Sequence, residues 1–326
     1  MMRLAEVVTA ALVATPFAIG TAVAGPDRAG VEFRFRDPQI VESSGLVARD
    51  DLFVTVNDSG DSGRTFVVDG ATGRTVGGAA WVGEPVDVEA LAPTDHGSVL
   101  VGDIGDNAGS RDSVTLLEVP SDRGFEDVEP TAYQLTYSDG PRDAETLLVH
   151  PVSGRVLVVS KSVLGGVLYA APNRLSETGP NVLEPVGDVL GFATDGAFFP
   201  DGRHFVLRDY GRAVVYSYPE LAVVGELRLP GQQQGEGIAV DQDARVFVST
   251  EGQFSAVHRV GVPRRIAEAV APTPTESVAP PDEPQEDSAE PAADEVVVER
   301  PAWMWWLGGL VGIGMIMILI RSLRPR

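Results

Sequence analysis

The sequence predicts an all-β fold: a β-propeller of about five four-stranded blades, carried outside a membrane by one C-terminal transmembrane helix. Three observations predict it. A motif in which an acidic or hydroxyl residue leads into a short apolar strand occurs five times, at intervals of about 40–55 residues, the period of propeller blades. Each occurrence is followed by a Pro/Asp/Gly turn and further short apolar runs, with no amphipathic helix of useful length between them. The two ends carry the long apolar runs of an export leader and a membrane span.

The motifs are Ser44-Gly45-Leu46-Val47, Glu89-Ala90-Leu91-Ala92, Glu145-Thr146-Leu147-Leu148, Asp195-Gly196-Ala197-Phe198 and Glu236-Gly237-Ile238-Ala239. The turns that follow include Pro151-Val152-Ser153-Gly154 and Pro200-Asp201-Gly202-Arg203, residues that pre-set or permit the φ of a tight hairpin. Second strands are expected at Leu52–Val56, Ser98–Gly102, Arg155–Ser160, His204–Leu207 and Arg245–Ser249. Third strands such as Gly166–Ala170 and fourth strands such as Glu226–Leu229 complete each unit. The last unit lacks a fourth strand after Ser255–Val262, and Val31–Arg36 is an orphan at the other end; pairing the two closes the ring and hides two open edges. The long step between Leu91 and Leu147 leaves room for a sixth, irregular blade.

Around this ectodomain, residues 25–265, the chain divides simply. Residues 1–24 read as a secretory signal, with Arg3 before an apolar stretch and Ala22-Val23-Ala24 as the cleavage site. Residues 266–301 form a Pro-rich acidic stalk, self-repelling and extended. Residues 302–320 are an uninterrupted apolar run of bilayer length, with Trp303, Trp305 and Trp306 at one interface. Arg321, Arg324 and Arg326 in the tail, 321–326, place the C-terminus in the cytoplasm and the propeller outside. Gly308 and Gly312 offer a packing face for a weak helix-mediated dimer.

Composition narrows the chemistry. The 326 residues carry a formal net charge of −22, no cysteine and 36 glycines. That balance excludes a nucleic-acid partner, which needs clustered Lys and Arg. The missing cysteine excludes disulfides, thiolate zinc and a cysteine nucleophile. No G-x-S-x-G elbow, Walker loop or G-x-G-x-x-G fingerprint is present.

In an antiparallel blade, the loop into strand one and the loop after strand two share a face. The first position holds Glu42 with Ser44, then Glu89, Glu145, Asp195 and Glu236. The second holds Asn57 with Asp58, then Asp103, Lys161, Arg208 with Asp209, and Glu251; Asp61, Asp106, Asn107 and Asp143 lie just beyond. Carboxylates converging in a concave site raise each other's pKa unless a cation offsets them. Oxygen-only ligation favours calcium, with Glu42, Asp58, Glu89, Asp103, Asp106, Glu145, Asp195 and Glu236 as candidate metal ligands. Asn57, Asn107, Asp143, Asp209 and Glu251 are candidate ligand-binding groups. Lys161, the chain's one lysine, and Arg208 one blade later are the candidate catalytic residues, basic groups that can pair with Glu145, Asp195 or a bound anion and hold developing negative charge.

Asn57-Asp58-Ser59-Gly60-Asp61, Gly102-Asp103-Ile104-Gly105-Asp106-Asn107, Asp139-Gly140-Pro141-Arg142-Asp143-Ala144-Glu145 and Gly235-Glu236-Gly237-Ile238-Ala239 resemble the motifs of secreted actinobacterial β-propeller proteins. More distantly, the chain is similar to phytase-like and esterase-like propellers and to the gluconolactonase family. The first of these likenesses implies several calcium ions and phosphate-ester hydrolysis, with mainly Lys161 and Arg208 to hold phosphate. The lactonase likeness implies one divalent ion on a Glu, an Asn and an Asp, parts open to Glu42 or Glu89, Asn107 and Asp195. Two functions follow. One is a binding module for a surface protein or small anionic ligand, with calcium in the channel face. The other is a metal-dependent hydrolase of a phosphate ester or lactone.

Overall fold

The computed structural model describes residues 30–58, 60–94 and 97–271. The segments expected to form a leader, most of a stalk and a membrane span fall outside the described residues. Among those described, no helix is long and apolar enough to cross a membrane.

The described chain is all-β apart from one short helix. The first strand group is β2 (Ser43–Arg49), β3 (Leu52–Asn57), β4 (Phe66–Asp69) and β5 (Arg74–Trp81). The second is β6 (Val88–Pro93), β7 (Ser98–Asp103), β8 (Val114–Pro120) and β10 (Thr131–Tyr137), with β9 (Gly124–Val128) as an excursion between β8 and β10. The third is β11 (Ala144–Val149), β12 (Val156–Ser160), β13 (Gly166–Ala170) and β14 (Asn181–Val189). The fourth is β15 (Asp195–Phe198), β16 (His204–Arg208), β17 (Arg212–Ser217) and β18 (Val223–Arg228). The last is β19 (Gly235–Val240), β20 (Val246–Thr250) and β21 (Ala256–Val260), to which β1 (Gly30–Arg34) adds antiparallel, Val31 opposite His258 and Arg34 opposite Ala256.

The first strands form a closed cycle: β2 packs against β6, β6 against β11, β11 against β15, β15 against β19, and β19 back against β2. Four-stranded antiparallel units arranged about a common axis make a β-propeller. First and second strands such as β11 and β12 are buried along nearly their whole length. Outer strands such as β14 and β18 expose most of theirs, which is why only the inner ones read as unbroken apolar runs. Apolar clusters fill the spaces between neighbouring units. Val47, Val54 and Val67 meet Leu91, Val99 and Val119, and Leu148, Leu157 and Leu168 meet Phe205 and Tyr216.

The structure departs from the sequence reading in three places. The long step between Leu91 and Leu147 contains β9, which pairs parallel to β5 at the edge of the first unit instead of building a sheet of its own. The second and third units are also joined at their edges by parallel pairing of β10 with β14. A short helix, α1 (Arg264–Val270), lies where the stalk is expected to begin. It buries Ile266 and Val270 in the cluster of Val215, Leu227 and Val246, so the compact body continues past residue 265.

Where first strands converge on the axis, side chains must be small. A Cβ on Gly45 of β2 would lie 2.5 Å from the backbone nitrogen of Leu91 on β6, and main chain cannot swing aside as a side chain can. Gly45→Ala is therefore expected to cost about 1–3 kcal/mol by overpacking, read by urea unfolding. Gly30→Ala, with nothing within 4 Å of the added carbon, serves as the neutral control.

Candidate functional site

The face formed by the loops entering first strands and leaving second strands is tied together by a repeated device. The amide of Asp58 donates to Glu42 O at 3.1 Å, that of Lys161 to Asp143 O at 2.8 Å and that of Glu251 to Gln234 O at 3.0 Å. In each case the residue just after the second strand holds the loop before the first, so the two repeat positions do converge.

At the mouth of the channel three carboxylates gather. Oxygens of Asp58, after β3, and of Asp87 and Glu89, at the entry to β6, all lie within 4.8 Å of one another. Glu89 is buried, and Ser44 Oγ donates to its carboxylate at 3.4 Å. Burial first, then the charges of Glu145, Asp58 and Asp87, push its pKa up to about 10 against the pull of Lys161. Asp87 is held in place from behind: the amides of Val86 and Asp87 donate to Asp103 at 3.0 and 2.9 Å, and Arg111 pairs with Asp103 at 2.9 Å. Gly105 completes the cradle, since a Cβ there would lie 2.4 Å from Asp87 Oδ2.

These residues fit a hard divalent cation. Oxygens no more than 4.8 Å apart can share an ion at calcium–oxygen distances of about 2.3–2.6 Å. The donor set is all oxygen, with neither the imidazole nor the thiolate that zinc favours.

Beside this trio lies a second cluster. Lys161 bonds Glu145, and its Nζ is 3.2 Å from the Tyr210 hydroxyl and 5.6 Å from that ring's centre. Burial opposes the lysine's charge, yet Glu145 and Tyr210 hold its pKa above the ordinary value. Burial lifts Glu145, and Lys161 holds it partway back. Glu236 is buried too, and burial followed by the charge of Glu145 pushes it up to about 7. Glu251, at the rim beside the exposed Glu42, is raised by burial and then by Glu42 and Asp58, and it accepts from Gln234 Nε2 at 2.6 Å.

Several predicted site residues have other work. Asp195 has no exposed surface; its carboxylate accepts amides from Gly196 and Ile238 at 2.8 Å and from Leu46, across the axis, at 3.3 Å. It is a lock between first strands and not a cation ligand. Asp103 is likewise occupied by amides and Arg111, and Asp106 by the amides of Ser110 and Arg111 at 2.9 Å. Arg208 is fully buried and donates to Asp209 O, Gln232 Oε1, Gly237 O and Ser249 O at 3.1–3.3 Å, so it does not meet a ligand at the mouth. Asn57 spends its amide on Val41, Glu42, Gln39 and Asp61. Asp143 accepts the Asp106 amide at 2.9 Å, Asp209 caps its own turn through Gly211 and Arg212, and Asn107 is exposed.

No family model and no curated protein matches the chain. Among solved structures, it is similar to a glutaminyl cyclase from Myxococcus xanthus, at 14% identity over 73% of this chain and 100% of that one, with a TM-score of 0.46. It is similar to a glucose dehydrogenase at 10% identity over 72% and 99% of the two chains, TM-score 0.45. A third is the Dos1 propeller, at 15% identity over 70% and 61%, TM-score 0.36.

The opposite end of the channel is different in kind. Below the level of Asp195 opens a cavity of about 370 Å³ lined by the far ends of the first strands, including Leu46, Leu91, Leu147, Gly196 and Ala239. His150 is part of that lining and packs on Phe198 and Tyr218 at 5.1 and 5.4 Å between ring centres, away from the acids.

Asp87 and Tyr210 are the site residues the sequence reading missed. Asp87 stands two positions before Glu89, as Asp143 stands two before Glu145, so the repeat register carried the signal.

Proposed function

We propose that the protein is a cell-surface binding module: a five-bladed β-propeller, closed by its N-terminal strand, that holds a calcium ion at the acidic mouth of its channel. Asp58, Asp87 and Glu89 would be the ligands, with water and carbonyl oxygen completing a shell of six to eight. The proposal includes export by residues 1–24, display on the stalk, and anchoring by the helix at 302–320 with the C-terminus in the cytoplasm.

The observation that carries the reading is the gathering of three carboxylate oxygens within 4.8 Å around a buried glutamate. Such a group is costly alone and favourable around a cation. Hydrolysis of a phosphate ester or lactone is the weaker reading, because it asks Arg208 and Lys161 to face a substrate anion. Arg208 is buried among carbonyls and Lys161 is already bonded to Glu145.

The test is thermal unfolding of the full-length, chelator-stripped protein while calcium, magnesium or zinc is added. Calcium at about 100 times its Kd should add about 2.7 kcal/mol and raise the melting temperature more than the other ions do. No response to any of the three ions overturns the reading.

A further inference from the structure

The same face carries features that the cation does not use. Glu236 is only 7% exposed, and burial and the charges around it, with no hydrogen bond among them, set the state of its carboxylate. Its charged neighbours are Glu145, Lys161, Glu251 and Arg208. The two basic groups are committed elsewhere, Lys161 to Glu145 and Arg208 to main-chain carbonyls. Burial works against the charge of this carboxylate, and a ligand that brings a cation to it offsets that cost.

Large exposed apolar side chains stand on other loops of the same face. Val163 and Leu164 follow Lys161 in the loop after β12, and Leu164 is 98% exposed. Phe192 lies beside them, its amide donating to Ser162 O at 3.3 Å. The Lys161 ammonium lies over the Tyr210 ring, and the loop after β20 carries the exposed Phe254 and is tied to Val41 by the Gly252 amide, which donates to Val41 O at 2.8 Å. Single exposed apolar residues are ordinary; a set of them on the loops of one acidic face marks an interaction surface. Phe192 and Phe254 also have φ of 53° and 57°, a left-handed backbone that bulky residues rarely adopt, so both rings are presented at a conformational cost.

We propose that this face docks a protein segment that places a lysine or arginine side chain on Glu236 and packs flanking apolar side chains on Leu164, Phe192 and Phe254. Charge complementarity selects the partner. Glu42, Asp58 and Glu251 line the approach, so an anionic ligand is repelled and a basic one is attracted. The inference rests on reading this face as a binding face, but it does not need the cation.

The test uses the full-length protein and three blocked pentapeptides, Leu-Phe-X-Phe-Leu, with X lysine, glutamine or glutamate, followed by fluorescence anisotropy with calcium and again with chelator. The lysine peptide is expected to bind at least tenfold tighter than the glutamine peptide, and the glutamate peptide most weakly. Glu236→Gln should abolish the lysine preference. Leu164→Ser, at a position too exposed to disturb folding, should weaken the lysine peptide about fivefold with an unchanged melting temperature. Equal affinity for lysine and glutamine, a preference that survives Glu236→Gln, or no peptide binding would each overturn the proposal. A lysine preference in protein that ignores calcium keeps the docking surface and rejects the cation site; a calcium response without the preference does the reverse.

Discussion

Asp195→Ala is expected to destabilise the protein by about 3–5 kcal/mol, the range for breaking a fully buried polar network. The carboxylate is the acceptor for amides on three first strands: Gly196 on its own β15, Ile238 on β19 and Leu46 on β2. Two of those strands meet β15 around the channel, so the side chain closes the centre of the ring. Burial raises its pKa well above the ordinary value although all three amides pull the other way. Alanine would leave three interior N–H groups without an acceptor, each costing about 1–3 kcal/mol if water cannot reach it. Asp195→Asn keeps the shape and one acceptor oxygen, and should cost less than half as much. Urea unfolding followed by tryptophan fluorescence measures both. A loss under 1 kcal/mol for the alanine variant would mean that the ring does not depend on this lock.

The second large effect is a pH dependence that calcium removes. In chelator, stability should fall as pH rises from 5 to 8. Glu89 is pushed up to about 10 and Glu236 to about 7, both from 4.5. Between 4.5 and those values, the folded protein holds protons that the unfolded chain has released. Stability contributed by the protonated folded form is therefore lost as pH climbs, the reverse of the usual acid denaturation. For Glu89 at pH 7 the penalty is on the order of 3 kcal/mol, at 1.36 kcal/mol per pKa unit. Glu89→Gln should stabilise the chelated protein by about 2–3 kcal/mol at that pH, flatten the profile and blunt the response to calcium. Melting curves at pH 5, 6, 7 and 8 read all three. A flat wild-type profile, or a glutamine variant no more stable than wild type, would contradict the strained acidic mouth.

The repeat made much of the architecture legible. Glu89, Glu145, Asp195 and Glu236 occupy equivalent positions, and all four stand near the head of a first strand. Depth was not legible. Asp195 is one methylene shorter than its equivalents, so its carboxylate stays among the strand amides while Glu89, Glu145 and Glu236 reach the mouth. The Asp103 and Asp106 loops look like ion-binding turns in sequence because aspartates that accept backbone amides and aspartates that hold cations use the same spacing; only the partners of their oxygens separate the two. Arg208 was placed correctly in register but is covered by Gln232 and Gly235, where a Cβ on the glycine would overlap its guanidinium. The helix α1 was hidden by its brevity, since seven residues cannot establish a helical period.

The proposed function stands on a cation held between the first and second units by Asp58, Asp87 and Glu89. Direct calcium binding by the metal-stripped, full-length protein, compared with Asp87→Asn, tests it most directly. Asp87 is the right residue to change because its backbone is fixed by Asp103, so the loop should keep its shape when the charge is removed. Saturable calcium uptake is expected for the wild type, with at least a tenfold weaker affinity in Asp87→Asn and a melting temperature in chelator no lower than the wild type's, since one of the charges that raise Glu89 is gone. Equal affinity in the two proteins, or no uptake by either, would contradict it.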